Sequence, residues 1–376
     1  MKHAREPGSL SRREFLRAAG GAAAAAAFGS ACRWAGGVGS PSSPAPTPFL
    51  PGMSPTGTIA ERAPTVISAT TTPESLIGRV ALIRTTDRAE GVRRSLDLLG
   101  INPVQGKAVF LKPNLNSADP APGSTHSHTL RALVERLWEM GAQRITLGDR
   151  SGMGDTRAVM QATGVFDLAS ELGFETIVFD ELGADDWAPA DAPGSHWRHG
   201  FSLARPCMEA DAVVQTCNLK THRFGGHFTL SLKNSVGLAA KSVPGAGYNY
   251  MTELHNSSDQ RSLIAEINAA YTPALIVLDG VEAFTSGGPE AGNKVEAGIV
   301  LAGADRIAVD AVGVAILRDL GTTAEVRRGR VFEQEQIARA VALGLGVTQP
   351  EAITILADDA DGRAYADRLR PILEGG

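Results

Sequence analysis

The feature that most constrains this chain is a junction that recurs five times between residues 108 and 305, in which a short apolar run passes directly into a polar cluster. Ala108–Leu111 leads into Lys112-Pro113-Asn114-Leu115-Asn116, and Ile145–Leu147 leads into Gly148-Asp149-Arg150. Ala212–Thr216 leads into Asn218-Leu219-Lys220-Thr221-His222, Ala274–Leu278 into Asp279-Gly280-Val281-Glu282, and Gly298–Leu301 into Asp305. Apolar runs this short, bounded by polar residues, are strands. Val80–Ile83 and Thr176–Phe179 read the same way. Helical periodicity lies between them. Asp87 and Glu90 start a helix that carries Val92, Leu96 and Leu99 on one face and closes at Gly100. Leu130, Leu133, Val134 and Leu137 trace a second helix, with others around 263–270, 307–317 and 334–343. The alternation predicts an α/β fold, a mainly parallel sheet flanked by helices. Parallel strands end on a common edge, where ligands bind. The five clusters are therefore expected to form one polar site at the carboxyl ends of the strands.

The residue types suggest its chemistry. Lys112 and Lys220 follow apolar runs, where an ammonium needs an anionic partner. A salt bridge to Asp149 or Asp279 is one explanation and binding of an anionic substrate is the other. Lys233 adds a third cation, and Asn114, Asn116, Asn218, Thr221 and Asn234 supply short polar contacts to the same substrate. His222 is the expected general acid or base, since imidazole exchanges protons near neutrality, with Lys220 and Asp149 as its catalytic neighbours. Asp279, Glu282, Asp305 and Asp310 are the candidate ligands of a hard divalent metal. The plainer reading of Asn114, Asp149 and Asp305 is helix capping. His126 and His128, or His196 and His199, lack the His-Glu-x-x-His arrangement of a zinc hydrolase.

These blocks, in their order, resemble the family catalogued as domain of unknown function 362. The resemblance spans Val80 to Leu317 and rests on Gly91-Val92-Arg93 with Leu98-Leu99-Gly100, Lys112-Pro113-Asn114, Gly148-Asp149 and Lys220-Thr221-His222. Leu232-Lys233-Asn234, Leu301-Ala302-Gly303-Ala304-Asp305 and Ala308-Val309-Asp310 complete it. Many such proteins are twin-arginine export substrates, some carry a ferredoxin-type iron-sulfur region, and the resemblance implies no agreed reaction. Only three cysteines occur here, Cys32, Cys207 and Cys217, with no Cys-x-x-Cys spacing. Four cysteine ligands are usual for a cluster, so no iron-sulfur centre is expected.

The N-terminus carries its own address. Ser11-Arg12-Arg13-Glu14-Phe15-Leu16 precedes an uncharged alanine-rich stretch, the pattern read by the twin-arginine translocase. Arg12 and Arg13 are the recognised pair, and Gly29-Ser30-Ala31-Cys32 offers either acylation at Cys32 or simple cleavage nearby. Residues 1–35 form this signal segment and 36–78 a Pro/Ser-rich tether. Residues 79–320 form the α/β domain, and 321–376 a C-terminal helical extension packed on it. A net charge of -5 supplies no basic footprint for nucleic acid, and leaves a lipid anchor as the route to a membrane. The expected protein is thus periplasmic or otherwise extracytoplasmic, with a small anionic ligand. An enzyme, a solute-binding lipoprotein and a redox protein loaded with cofactor before export are the three functional readings.

Overall fold

A computed structural model of the chain describes residues 77–375. Arg12, Arg13 and Cys32, with the signal and nearly all of the tether, lie outside the described residues.

Nine strands form one mixed, mostly parallel sheet with helices on both faces. In chain order the strands of the molecule are β1 (Arg79–Arg84), β2 (Ala108–Lys112), β3 (Arg144–Asp149), β4 (Glu175–Val178), β5 (Trp187–Ala190) and β6 (Phe201–Ala204). They continue with β7 (Ala212–His222), β8 (His227–Thr229), β9 (Pro273–Gly287), β10 (Gly292–Gly303) and β11 (Thr354–Leu356). The sheet runs β11-β1-β10-β9-β7-β2-β3-β4, with β8 hydrogen-bonded to β7, while β5 and β6 make a separate ribbon.

Alternation along each strand sends side chains to opposite faces. In β1, Val80 and Leu82 join the core beneath helix Arg306–Asp319, whereas Ala81 packs under helices Arg88–Leu99 and Ser127–Glu139. In β10, Ile299 and Leu301 go one way and Val300 and Ala302 the other. Burying each of these larger side chains is worth about 1.5–3 kcal/mol. Helix Arg88–Leu99 is bounded as its sequence requires. The Asp87 carboxylate accepts from the Glu90 amide, and Gly100, at a φ of 67°, closes the last turn by donating to the Leu96 carbonyl. The chain after residue 320 is not only helical. It supplies the edge strand β11, parallel to β1, before helix Ala360–Gly375 lays Tyr365, Leu369 and Leu373 into the core.

Two departures from expectation move the polar residues. First, β7 and β9 run on through segments that read as loops: Asn218 to His222 and Asp279 to Glu282 are strand residues, because β8 and β10 pair with them. Second, β10 is antiparallel to both β1 and β9. Its carboxyl end, with Asp305, therefore lies at the edge opposite to the ends of β2, β3 and β7.

Candidate anion pocket

Lys112 is the last residue of β2, Asp149 the last of β3, and Lys220 and His222 stand near the end of β7. With Asn114, Asn116, Arg150, Lys233 and Asn234, they line one pocket. Its open volume is about 420 Å³, counting the solvent-filled mouth. Thr229, Gly237 and Pro289 complete much of the wall.

The charges inside are held in three different ways. Lys112 makes a buried ion pair with Asp149 at 2.8 Å, and also donates to the Pro113 carbonyl and to Asn234 Oδ1. Asp149 in turn accepts the backbone amides of Leu115 and Arg150, at 2.9 and 2.7 Å. Lys220 has no carboxylate partner among the described residues. Its ammonium donates to Asn114 Oδ1 and to the carbonyls of Gly123 and Pro289. Arg150 likewise donates to neutral atoms, the carbonyls of Ala239, Ser151 and Val236 and the Met251 sulfur. Lys233 is 8% exposed and makes neither a hydrogen bond nor an ion pair among the described residues.

Burial therefore dominates the proton affinities. It pushes Lys220 down to about 7 and Lys233 down to about 8, each helped by neighbouring positive charge. Lys112 is lowered as well, because its burial outweighs the opposing pull of Asp149. Burial, with Lys233 and Lys220 next, holds His222 well below the usual imidazole range, so its ring is neutral at neutral pH. His222 Nδ1, Asn116 Nδ2 and Thr229 Oγ1 are buried on this wall without any partner among the described residues. Orphaned buried polar atoms are uncommon and are expected where a ligand completes the bonding.

The remaining sequence-selected residues sit elsewhere. Asn218 is buried and donates to the Ser124 carbonyl, while Thr221 donates to carbonyls of Phe284 and Gly287, so neither lines the pocket. The acidic residues expected to share a metal do not meet. Asp279 and Glu282 are both clamped by Arg88 at 2.9 Å; Asp279 also accepts from Thr129, and Glu282 from Lys294. Asp305 caps helix Arg306–Asp319 and accepts from the amides of Ile307, Ala308 and Val347. Asp310 accepts the Ser231 and Leu232 amides, and burial pushes its carboxyl up to about 7. Among the described residues no group of three or more His, Cys, Asp and Glu side chains is arranged to hold a metal. Backbone amides, Arg88, Lys294 and the Thr129 hydroxyl occupy these carboxylates. Cys207 and Cys217 are two separate buried thiols, both raised by burial, Cys207 to about 12.

Sequence reasoning left Arg150 and two glycines out of the site. A Cβ on Gly237 would stand 2.3 Å from Asp149 Oδ1 and 2.8 Å from Lys112 Nζ. One on Gly226 would stand 2.6 Å from Lys233 Cε and 3.0 Å from His222 Nδ1. The close approach of backbone to charged groups is the reason for glycine at both places. The usable signal was their spacing, each within four residues of a site lysine or histidine.

The family described as "Domain of unknown function (DUF362)" matches residues 109–315. A thylakoid-associated protein of Synechocystis sp. is 28% identical over 218 residues, which cover 57% of this chain and 64% of that protein's length. Among solved structures, the lactate racemase apoprotein from Thermoanaerobacterium thermosaccharolyticum is similar at a TM-score of 0.35 and 17% identity, over 62% of this chain and 56% of the other. No described helix is long and apolar enough to cross a membrane.

Proposed function

The chain belongs to the DUF362 family, and from that premise we propose that its pocket binds a small anionic substrate and moves a proton on it. Lys233 carries this reading: a largely buried lysine whose ammonium has no protein partner among the described residues and stands on a pocket wall shared with His222 and Lys220. A strongly hydrated cation is placed so only where something else is to pair with it. Lys233 and Lys112 would hold the substrate's anionic oxygens, with Asn114, Asn116 and Asn234 orienting the rest. The neutral His222 ring accepts a proton. Lys220, which loses its own proton near 7, returns one, while Asp149 holds Lys112 in place. No metal is assigned to the pocket.

Turnover separates this enzyme from a solute-binding protein. The protein is incubated with a bacterial small-molecule extract and the consumed anions are identified by mass spectrometry. His222→Gln should then slow consumption by about 10²–10⁴-fold while changing affinity little. Undiminished consumption by that variant removes His222 from the chemistry. Binding without consumption by the wild type favours the solute-binding reading.

We place this activity outside the cytoplasmic membrane, on the strength of Arg12 and Arg13 ahead of the alanine-rich stretch. Changing both to lysine should strand the precursor in the cytoplasm, as fractionation would show; normal export of the double variant defeats the assignment. Fatty-acid labelling of the wild type that disappears in Cys32→Ser would identify a lipoprotein.

A further inference from the structure

We infer that the pocket is built for a small dianion, a phosphoryl group or a dicarboxylate, in preference to a monoanion; this deepens the anion-binding reading and rests on it. Four cationic side chains, Lys112, Arg150, Lys220 and Lys233, line the pocket with a single carboxylate, Asp149. That carboxylate is committed to Lys112 and to two backbone amides. Arg150 and Lys220 donate to neutral atoms, which satisfy their hydrogens and leave their charge uncompensated. Asp180, bonded to Thr156, acts on Arg150 from outside the lining and offsets part of the guanidinium charge.

The other titratable neighbours do not cancel the two remaining ammonium groups. Glu290 is paired with Arg223. His222 and His255 are both pushed down and neutral, and burial holds the Cys217 thiol protonated. When Lys220 and Lys233 are protonated, two positive charges therefore stand without a paired carboxylate among the described residues, Glu290 acting on Lys220 only from beyond the lining. One carboxylate would neutralise only half of that. The buried Asn116 amide nitrogen and Thr229 hydroxyl, both without partners there, are placed to donate to further oxygens of such a ligand. Without a ligand, burial, aided by the neighbouring positive charges, favours release of these protons and lowers Lys220 to about 7 and Lys233 to about 8. An arriving dianion reverses that and draws protons back.

Titration calorimetry on the full-length protein at about pH 8, where both lysines are partly deprotonated, tests the charge count directly. Inorganic phosphate, malonate and propionate are compared in two buffers of different ionisation enthalpy. Phosphate or malonate should bind at least about tenfold more tightly than propionate, with net uptake of roughly one proton. Lys233→Met should erase the preference and lower the uptake, leaving the share that Lys220 takes up. Phosphate without malonate would identify a phosphoryl ligand, and malonate without phosphate a dicarboxylate; either outcome supports the inference. Equal affinity for malonate and propionate, with weaker phosphate, overturns the dianion while sparing the anion pocket. No measurable binding of any of the three overturns the dianion and anion readings together.

Discussion

Replacing Lys233 with methionine should weaken anion binding and, in the same molecule, stabilise the ligand-free protein. Methionine keeps most of the side chain's length and removes an ammonium that has no hydrogen bond or ion pair among the described residues. The direction of the pH dependence follows from the lowered value of about 8. In the unfolded chain the lysine stays protonated up to about 10.4, so between these limits the unfolded state binds more protons. Unfolding free energy must then rise with pH through that window. The burden on the folded protein is complete below about 8 and fades towards the unfolded value. Lys233→Met should accordingly gain on the order of 2 kcal/mol at pH 7 and almost nothing near pH 10. Anion affinity should fall by roughly 100-fold or more. Urea unfolding from pH 6 to 10, beside calorimetry, measures both. Lys220→Met is the instructive contrast: it strands Asn114 Oδ1 and two carbonyls that the ammonium now fills, so no comparable gain is expected. A Lys233→Met protein less stable than wild type at pH 7 would mean that the ammonium has a stabilising role, and the anchor reading would fail.

Lys233 also shows how far the sequence could be read. Strand and helix periodicity located β1 to β4 and the helices after β1 and β2, because those segments follow the rule that apolar residues face the core and polar residues interrupt it. That rule fails where charge is buried inside a strand. β7 carries Asn218, Lys220 and His222 through paired sheet, and a reader of propensity ends the strand at Thr216. Lys112, Asp149, Lys220 and His222 line one pocket, and Asp279 is not in its lining. Its strand runs on into the hairpin with β10, and Arg88 reaches it from the first helix. Strand direction was the missing quantity for Asp305. A strand that reverses carries its carboxyl end to the far edge, and apolar patterning is the same whichever way a strand runs. Arg150 stands in one of the five polar clusters, yet its role is not legible there for another reason. Two of its partners are backbone carbonyls 86 and 89 positions away, and no side-chain pattern encodes these.

Asp149→Ala should be the most destabilising single change in the pocket, at about 3–5 kcal/mol. The carboxylate is 1% exposed and satisfies three donors at once: Lys112 Nζ and the amides of Leu115 and Arg150. Its loss leaves an uncompensated ammonium and two buried N–H groups, and the first of these dominates. The turn it organises also aims Arg150 and the Leu115–Asn116 segment, so anion binding should weaken along with the fold. If Asp149 merely capped local backbone, the loss would be near 1 kcal/mol and Lys112 would not matter. Lys112→Met in the Asp149→Ala background decides between the two. Removing the stranded ammonium should recover a sizeable part of the loss when the ion pair carries most of the stability, whereas additive losses would assign that stability to capping. Chemical unfolding of the two single variants and the double variant supplies the coupling energy. Gly237 gives an independent check. Valine there forces a Cβ to within 2.3 Å of Asp149 Oδ1, and should part the ion pair without deleting either member. A Gly237→Val protein as stable as wild type would show that the pair tolerates separation, and the large penalty expected for Asp149→Ala would lose its basis.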